Sequence, residues 1–166
     1  ALCEMKLNTE WRFDLDVVAH HYWLWLSSSP FDIGGTTAHG LGGGMGHQQG
    51  KAQGMKEAAL RHNMGSKANG ALMRIAPLGV WGSEVDEEQL VRAAFLDAQL
   101  THCNPVCCMA NGAYTVAIRH LVLHRGDHRG AFYAAAKWVE LWNNPELMEW
   151  MDLAQRDVDV GYYPMA

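Results

Sequence analysis

The stretch Ser66 to Gly79, SKANGALMRIAPLG, combines small residues, one good hydrogen-bonding side chain and an apolar run. Asn69 has the side chain of a helix N-cap, whose oxygen accepts from the first free N–H groups, and Gly70 lets the backbone approach a second group closely. Free N–H groups at the start of a helix, added to the helix dipole, favour an anion. The spacing predicts a capped helix in the 70s, serving either as an ordinary core helix or as the floor of an anion site.

Other chemistry-bearing residues give weaker patterns. His102, Cys103, Cys107 and Cys108 are close enough in sequence to suggest zinc. However, Asn104-Pro105 reads as an N-cap followed by Pro at the first helical position. That puts Cys107 and Cys108 side by side on an early turn, diverging as small core residues rather than converging on a metal. With Cys3 they are read as free thiols of a reducing, cytoplasmic compartment. A nucleotide-triphosphate loop fails at Gly44 to Lys51. Five residues separate its glycines, Ala52 follows the lysine where Ser or Thr would hold magnesium, and no GxGxxG occurs. Asp14-Leu15-Asp16 reads as a helix cap, and Asp157-Val158-Asp159 lacks a following Thr and a preceding Gly-Gly.

The elements that would position these residues are helices. Residues 1–8 read as the tail of a helix. Asp14 or Asp16 caps the next one, which carries Val17, Val18, Tyr22, Trp23 and Leu26 before Ser27-Ser28-Ser29-Pro30 stops it. Residues 31–50 hold eight of the 17 glycines, so a flexible loop is expected near 40–50. The helical pattern resumes at residue 52. Asp86 and Gln89 form a capping box for a helix with Leu90, Ala94, Phe95 and Ala98 on its inner face. A long helix from Pro105 ends at Gly126, Asp127 caps the next, and Asn143-Asn144-Pro145 turns the chain into a last one. No segment alternates with period two between hairpin turns. The expected fold is all-α, a compact globular multi-helix bundle.

Whole-chain properties set the bounds. The 166 residues are one domain's length, with 49% hydrophobic and 19% charged residues, as in globular chains. A net charge of −5 without any Lys/Arg block argues against nucleic acid or an anionic membrane as partner. No apolar run approaches the ~20 residues of a membrane span. The chain starts at Ala1, so its N-terminus is expected to be processed or cut from something longer.

Three segments in order resemble one family, the ADP-ribosylglycohydrolases, which include the dinitrogenase reductase-activating glycohydrolases and the ADP-ribosyl-arginine and ADP-ribosyl-serine hydrolases. YWLWLSSSPFDIGGTTAHG, Tyr22 to Gly40, resembles the family's tryptophan helix, Ser-x-Pro and Asp-Ile-Gly-x-Thr-Thr segment. SKANGALMRIAPLG is similar to its Asn-Gly-(Ser/Ala)-x-Met-Arg-x-(Ala)-Pro-(Leu/Ile)-Gly signature. Leu100-Thr101-His102 with Asn104-Pro105 resembles its Leu-Thr-His-x-(His/Asn)-Pro. Together they span about 85 residues, and the closing VDVGYYPMA fits loosely.

The resemblance implies an all-α hydrolase that cleaves the bond between the anomeric carbon of ADP-ribose and a side chain or small acceptor, using two magnesium ions. It implies ADP-ribose or an ADP-ribosylated protein as partner. Such ions would polarise ribose oxygens and lower the pKa of a bound water. The family's ligand motifs, Thr-Asp-Asp-Thr and Asp-x-Asp-(Thr/Ser), would lie before Ala1 and beyond Ala166, so residues 1–166 read as the central part of one such domain, incomplete at both ends. The chain by itself is then expected to be inactive. A non-catalytic ADP-ribose-binding protein or pseudoenzyme, or a structural helical domain, are the alternatives. By the same resemblance Ser66, Lys67, Ala68, Asn69 and Gly70 wrap the diphosphate and ribose, Gly34 and Gly35 add a second phosphate contact, and His102 faces the ligand. Lys67 is otherwise a solvated surface lysine, Gly34 and Gly35 helix-start glycines, and His102 a structural residue. Ala68 stands where relatives often have Gly. Asp32, the candidate catalytic acid, would hydrogen-bond a ribose hydroxyl or a metal-bound water; otherwise it caps the helix opening at Gly34-Gly35. Arg74 reads as an ion-pair partner that locks its helix.

Overall fold

Short polar caps set where several of the helices begin. The computed structural model describes residues 13–47 and 50–158, with side chains to residue 156. The expected helix tail at 1–8, Cys3, Asp159 and the side chain of Asp157 lie outside the described residues. Helix α1 (Leu15–Ser27) starts at Asp14, whose Oδ1 accepts from the N–H groups of Asp16 at 3.0 Å and Val17 at 3.2 Å. Both acids proposed as its cap are used, on different helices. Asp16 Oδ1 accepts at 3.0 Å from the Ala52 N–H at the start of α3 (Lys51–His62).

Between them the glycine-rich stretch folds into α2 (Gly35–Gly42), so residues 40–42 are helix rather than the expected loop. Glycine costs a helix about 1 kcal/mol against alanine, but here tertiary packing overrides that. A Cβ on Gly40 would lie 2.6 Å from Thr101 Cα, and one on Gly43 or Gly54 would collide with the other's carbonyl oxygen. Bare backbones therefore let α2 press against α3 and the turn at residue 101.

The 70s stretch departs further from expectation. It is a loop followed by a single 3-10 turn (Leu72–Arg74), and α4 (Ala76–Trp81) restarts beyond it. Pro77 lacks an N–H and its ring would collide with the Met73 carbonyl, so one continuous helix cannot run from 70 to 81. Among the described residues the Asn69 side chain caps no helix; its backbone carbonyl takes the Met73 N–H at 3.0 Å.

The C-terminal half follows its local signals. Asp86 caps α5 (Glu87–Gln99), Asn104 caps α6 (Pro105–Leu123) and Asp127 caps α7 (His128–Trp142). Asn143 in the left-handed region, with φ 50°, turns the chain into α8 (Pro145–Val158). The long helix stops at Leu123, and Gly126, with φ 83°, falls in the turn beyond it. By length and composition α6 could cross a membrane, against the sequence expectation. Its sides, however, are taken by α4, α5 and α7, which makes it the central helix. Among the described residues there is no strand, and the fold is all-α. One cluster joins α1, α2 and α3 through Val18, Ala19, Leu41, Ala52 and Met55. A second joins α4 and α5 through Leu78, Leu90 and Ala94, and a third joins α6 and α7 through Val106, Ala113, Ala135 and Val139.

Candidate functional site

Where the α1–α2 layer meets the 68–74 loop, a cleft of about 640 Å³ opens. That is within the range of small-molecule sites. Tyr22 and Trp25 of α1, the segment Asp32 to Thr37, Leu41, Ala68 to Gly70, Met73, Arg74 and His102 line it. Three separate stretches of sequence thus converge on one hollow.

At its mouth α2 begins without a cap. Gly34 makes no side-chain hydrogen bond, and a Cβ on Gly34 or Gly35 would meet nothing within 4 Å. The Ala38 N–H bonds the Gly34 carbonyl at 3.0 Å, so the donors of the first turn, at Gly35, Thr36 and Thr37, have no helical partner. With the dipole they make the cleft's anion-attracting end. The sequence expected a helix start at Gly34-Gly35 as well as one at Asn69, and only the first of the two is an α-helix N-terminus here. Asp32 does not cap it; the carboxylate is exposed on the cleft's lining.

The 66–70 loop divides its labour. Ser66 Oγ lies 2.9 Å from Thr36 Oγ1 and tethers the loop to α2. Lys67 does not line the cleft. Its Nζ donates to both Glu146 oxygens, at 2.6 and 2.8 Å, and pins the loop to the start of α8. Ala68, Asn69 and Gly70 do line it. A Cβ on Gly70 would lie 2.6 Å from Thr37 Oγ1 and 3.1 Å from His102 Cε1, so only glycine lets the loop close over the histidine.

Behind Gly70 lies a buried polar chain. His102 is fully buried; its Nδ1 is 2.7 Å from Thr101 Oγ1, and its Nε2 has no partner among the described residues. Arg74 Nη1 donates to Thr101 Oγ1 at 2.8 Å, Nε to Asp97 Oδ1 at 3.1 Å and Nη2 to the Asp97 carbonyl at 2.9 Å. Tyr22 donates to Asp97 Oδ2 at 2.7 Å, and the Arg74 guanidinium lies 4.8 Å from the centre of the Tyr22 ring. Burial, then the Asp97 carboxylate, pushes the Tyr22 phenol well up, so it stays a donor. Burial, reinforced by Arg74, pushes His102 down from 6.5 to about 4, so the ring is neutral at pH 7. The ion pair read for Arg74 is present, with a larger role than locking one helix.

The donor set does not fit a magnesium centre. Among the described residues Asp32 is the sole carboxylate lining the cleft, and no three His, Cys, Asp or Glu side chains gather to hold a metal. Cys103, Cys107 and Cys108 are buried thiols facing the carbonyls of Ala59, Ser66 and His102.

Sequence reasoning assigned no ligand role to Tyr22, Trp25, Thr36, Thr37 or Met73. The two threonines lie inside the Asp-Ile-Gly-x-Thr-Thr segment and could have been found there. Tyr22 and Trp25, three apart on α1, give only the signal of an apolar helix face.

A family model described as ADP-ribosylglycohydrolase matches residues 1–163. Over 111 residues the chain is 35% identical to a protein of Acanthamoeba polyphaga mimivirus named "Putative ADP-ribosyl glycohydrolase". The match covers 63% of this chain and 32% of that protein, so the aligned part spans about a third of the curated relative's length. No solved structure matches.

Proposed function

The chain belongs to the ADP-ribosylglycohydrolase family, and on that premise we propose that its cleft holds the ADP-ribose of a substrate whose glycosidic bond the complete enzyme hydrolyses. The observation carrying this reading is the convergence of the uncapped α2 N-terminus, the Asn69-Gly70 loop and the unpartnered His102 Nε2 on one hollow. Backbone N–H groups of Gly35, Thr36 and Thr37 bind phosphate oxygens without a net-charge field, which suits a chain of charge −5. Asn69 donates to the diphosphate or its ribose, and Asp32 at the rim accepts from a ribose hydroxyl. Trp25 and Met73 give the cleft an apolar wall that excludes water from one side of the ligand.

In this proposal magnesium dependence comes from acidic segments that this chain does not contain, because its own cleft residues do not fit the ions. The setting proposed is cytoplasmic, where the buried thiols stay reduced. The second reading, an ADP-ribose-binding protein without hydrolysis, draws support from the single carboxylate that the described residues place on the cleft.

Titration calorimetry with ADP-ribose tests the binding common to both. Wild type gives saturable heat, Asn69→Ala weakens it about tenfold, and Lys67→Ala weakens it less, through the loop it pins to Glu146 rather than through a ligand contact. No heat with wild type overturns the ADP-ribose assignment. Release of ADP-ribose from a modified protein by this chain, in the presence of a chelator, overturns the placing of the hydrolytic groups outside it.

A further inference from the structure

We propose that Arg74 and Thr101 are positioning residues that fix the His102 ring with its proton on Nε2, as a one-way hydrogen-bond donor to an oxygen of the bound ligand. The inference rests on reading the cleft as an ADP-ribose site. The direction of each bond follows from what each group can do. A guanidinium has donors and no acceptor, so in the contact at 2.8 Å Arg74 Nη1 donates and Thr101 Oγ1 accepts. The threonine hydroxyl then has one proton to place. Among the described residues Oγ1 meets only Arg74 and His102 Nδ1, the latter at 2.7 Å. The proton therefore goes to Nδ1, which must be the lone-pair nitrogen.

Nε2 has no partner among the described residues in either tautomer, but the reverse one would also leave the buried threonine proton unserved, one orphan more. The polarity is anchored further back. Asp97 takes Arg74 Nε on one oxygen and the Tyr22 hydroxyl on the other, so Arg74 cannot turn away without leaving a buried carboxylate half-paired. The chain Tyr22, Asp97, Arg74, Thr101, His102 thus delivers a fixed N–H to the cleft behind Gly70.

A consequence separates this from a generic histidine contact. With its proton already on Nε2 and Nδ1 engaged, His102 takes no proton from a water or an acceptor; it orients and stabilises an oxygen only. Nuclear magnetic resonance on the full chain with 15N-labelled histidine reads the tautomer directly, with His102→Gln identifying the signal. The expected pattern at pH 7 is an unprotonated Nδ1 and a protonated Nε2. A proton on Nδ1, or an averaged ring, overturns the proposal.

Thr101→Val keeps the branched shape and removes the hydroxyl. It should average the ring between tautomers and weaken ADP-ribose about tenfold, whereas Thr101→Ser keeps both wild-type values. A Val variant with an unaltered ring pattern overturns the role of Thr101. If Thr101→Val does not fold, the wild-type spectrum still decides. A wild-type ring of the expected form in a protein that takes up no ADP-ribose upholds the positioning chain and sinks only the ligand assignment.

Discussion

A histidine that is neutral in the fold and charged in the unfolded chain ties stability to pH. His102 is that residue, because burial, with Arg74 added, lowers it from 6.5 to about 4. Between those two values the unfolded chain binds a proton that the folded chain refuses. Stability is therefore unaffected above pH 6.5, falls as pH drops through 6.5, and stops falling on this account below 4. The full effect by pH 4 is on the order of 3 kcal/mol. Urea unfolding at intervals between pH 7 and 4 should show this decline in wild type and a shallower one in His102→Gln, which cannot titrate. Parallel curves for the two proteins would place the acid sensitivity elsewhere. The same residue marks how far a sequence can speak about a site. Its place in Leu-Thr-His suggested a ligand-facing ring, but the tautomer depends on Arg74, which lies 28 positions earlier and meets it only through Thr101.

The elements divide by whether their signals are local. Asp14, Asp86, Asn104 and Asp127 each cap a helix through N–H groups two or three residues on, and the sequence marked the last three outright and the first as Asp14 or Asp16, because a cap needs only its own turn. The start of helix α2 at Gly34-Gly35 was legible, but its run through residues 40–42 was not, since its glycines are poor helix formers and the reason for them lies elsewhere in the chain. Gly40 lies against the Leu100–Thr101 backbone, and a Cβ there would meet Thr101 Cα at 2.6 Å and the Leu100 carbonyl oxygen at 2.8 Å. Backbone atoms yield less readily than side-chain ends, so Gly40→Ala must move α2 as a body. The expected loss is about 1–3 kcal/mol, against the gain that alanine normally brings to a helix. Since α2 carries the uncapped N-terminus at the cleft, ADP-ribose affinity should fall with it. Gly42→Ala is the control, because a Cβ there meets nothing within 4 Å, and thermal unfolding should show it as stable as wild type or more so. Equal melting temperatures for the Gly40 and Gly42 variants would mean that α2 does not press on that turn. The 70s stretch misled for the converse reason. Asn69, Gly70 and the apolar run agree locally on a helix, and the Pro77 interruption decides otherwise.

At the scale of the molecule, the cleft exists because two layers are held at a fixed separation, and one buried amide bridges them. Asn63, at the end of α3, donates through Nδ2 to the Thr36 carbonyl on α2 and to the Thr101 carbonyl beside His102, both at 2.8 Å. It is 2% exposed, so water cannot replace either bond. Asn63→Asp keeps the shape and exchanges the donor for a carboxyl facing two carbonyl oxygens. Ionised, it repels both and is desolvated; protonated, it can still donate to one. Its pKa in the fold must therefore rise above the ordinary aspartate value, and stability is lost as pH rises from that value towards the raised one. The variant should accordingly be weaker than wild type at both pH 7 and pH 5, with the larger deficit at pH 7. That is the opposite direction to the His102 effect, so the two are separable in a single pH series of urea unfolding curves. ADP-ribose binding should fall at pH 7 and recover partly at pH 5, because the distance between the Thr36 and Thr101 strands of backbone sets where the α2 donors stand relative to His102. A deficit independent of pH would mean that Asn63 fills space without stitching the layers, and the cleft's width would then have to be set by the apolar contacts of Leu41, Met55 and Leu100 alone.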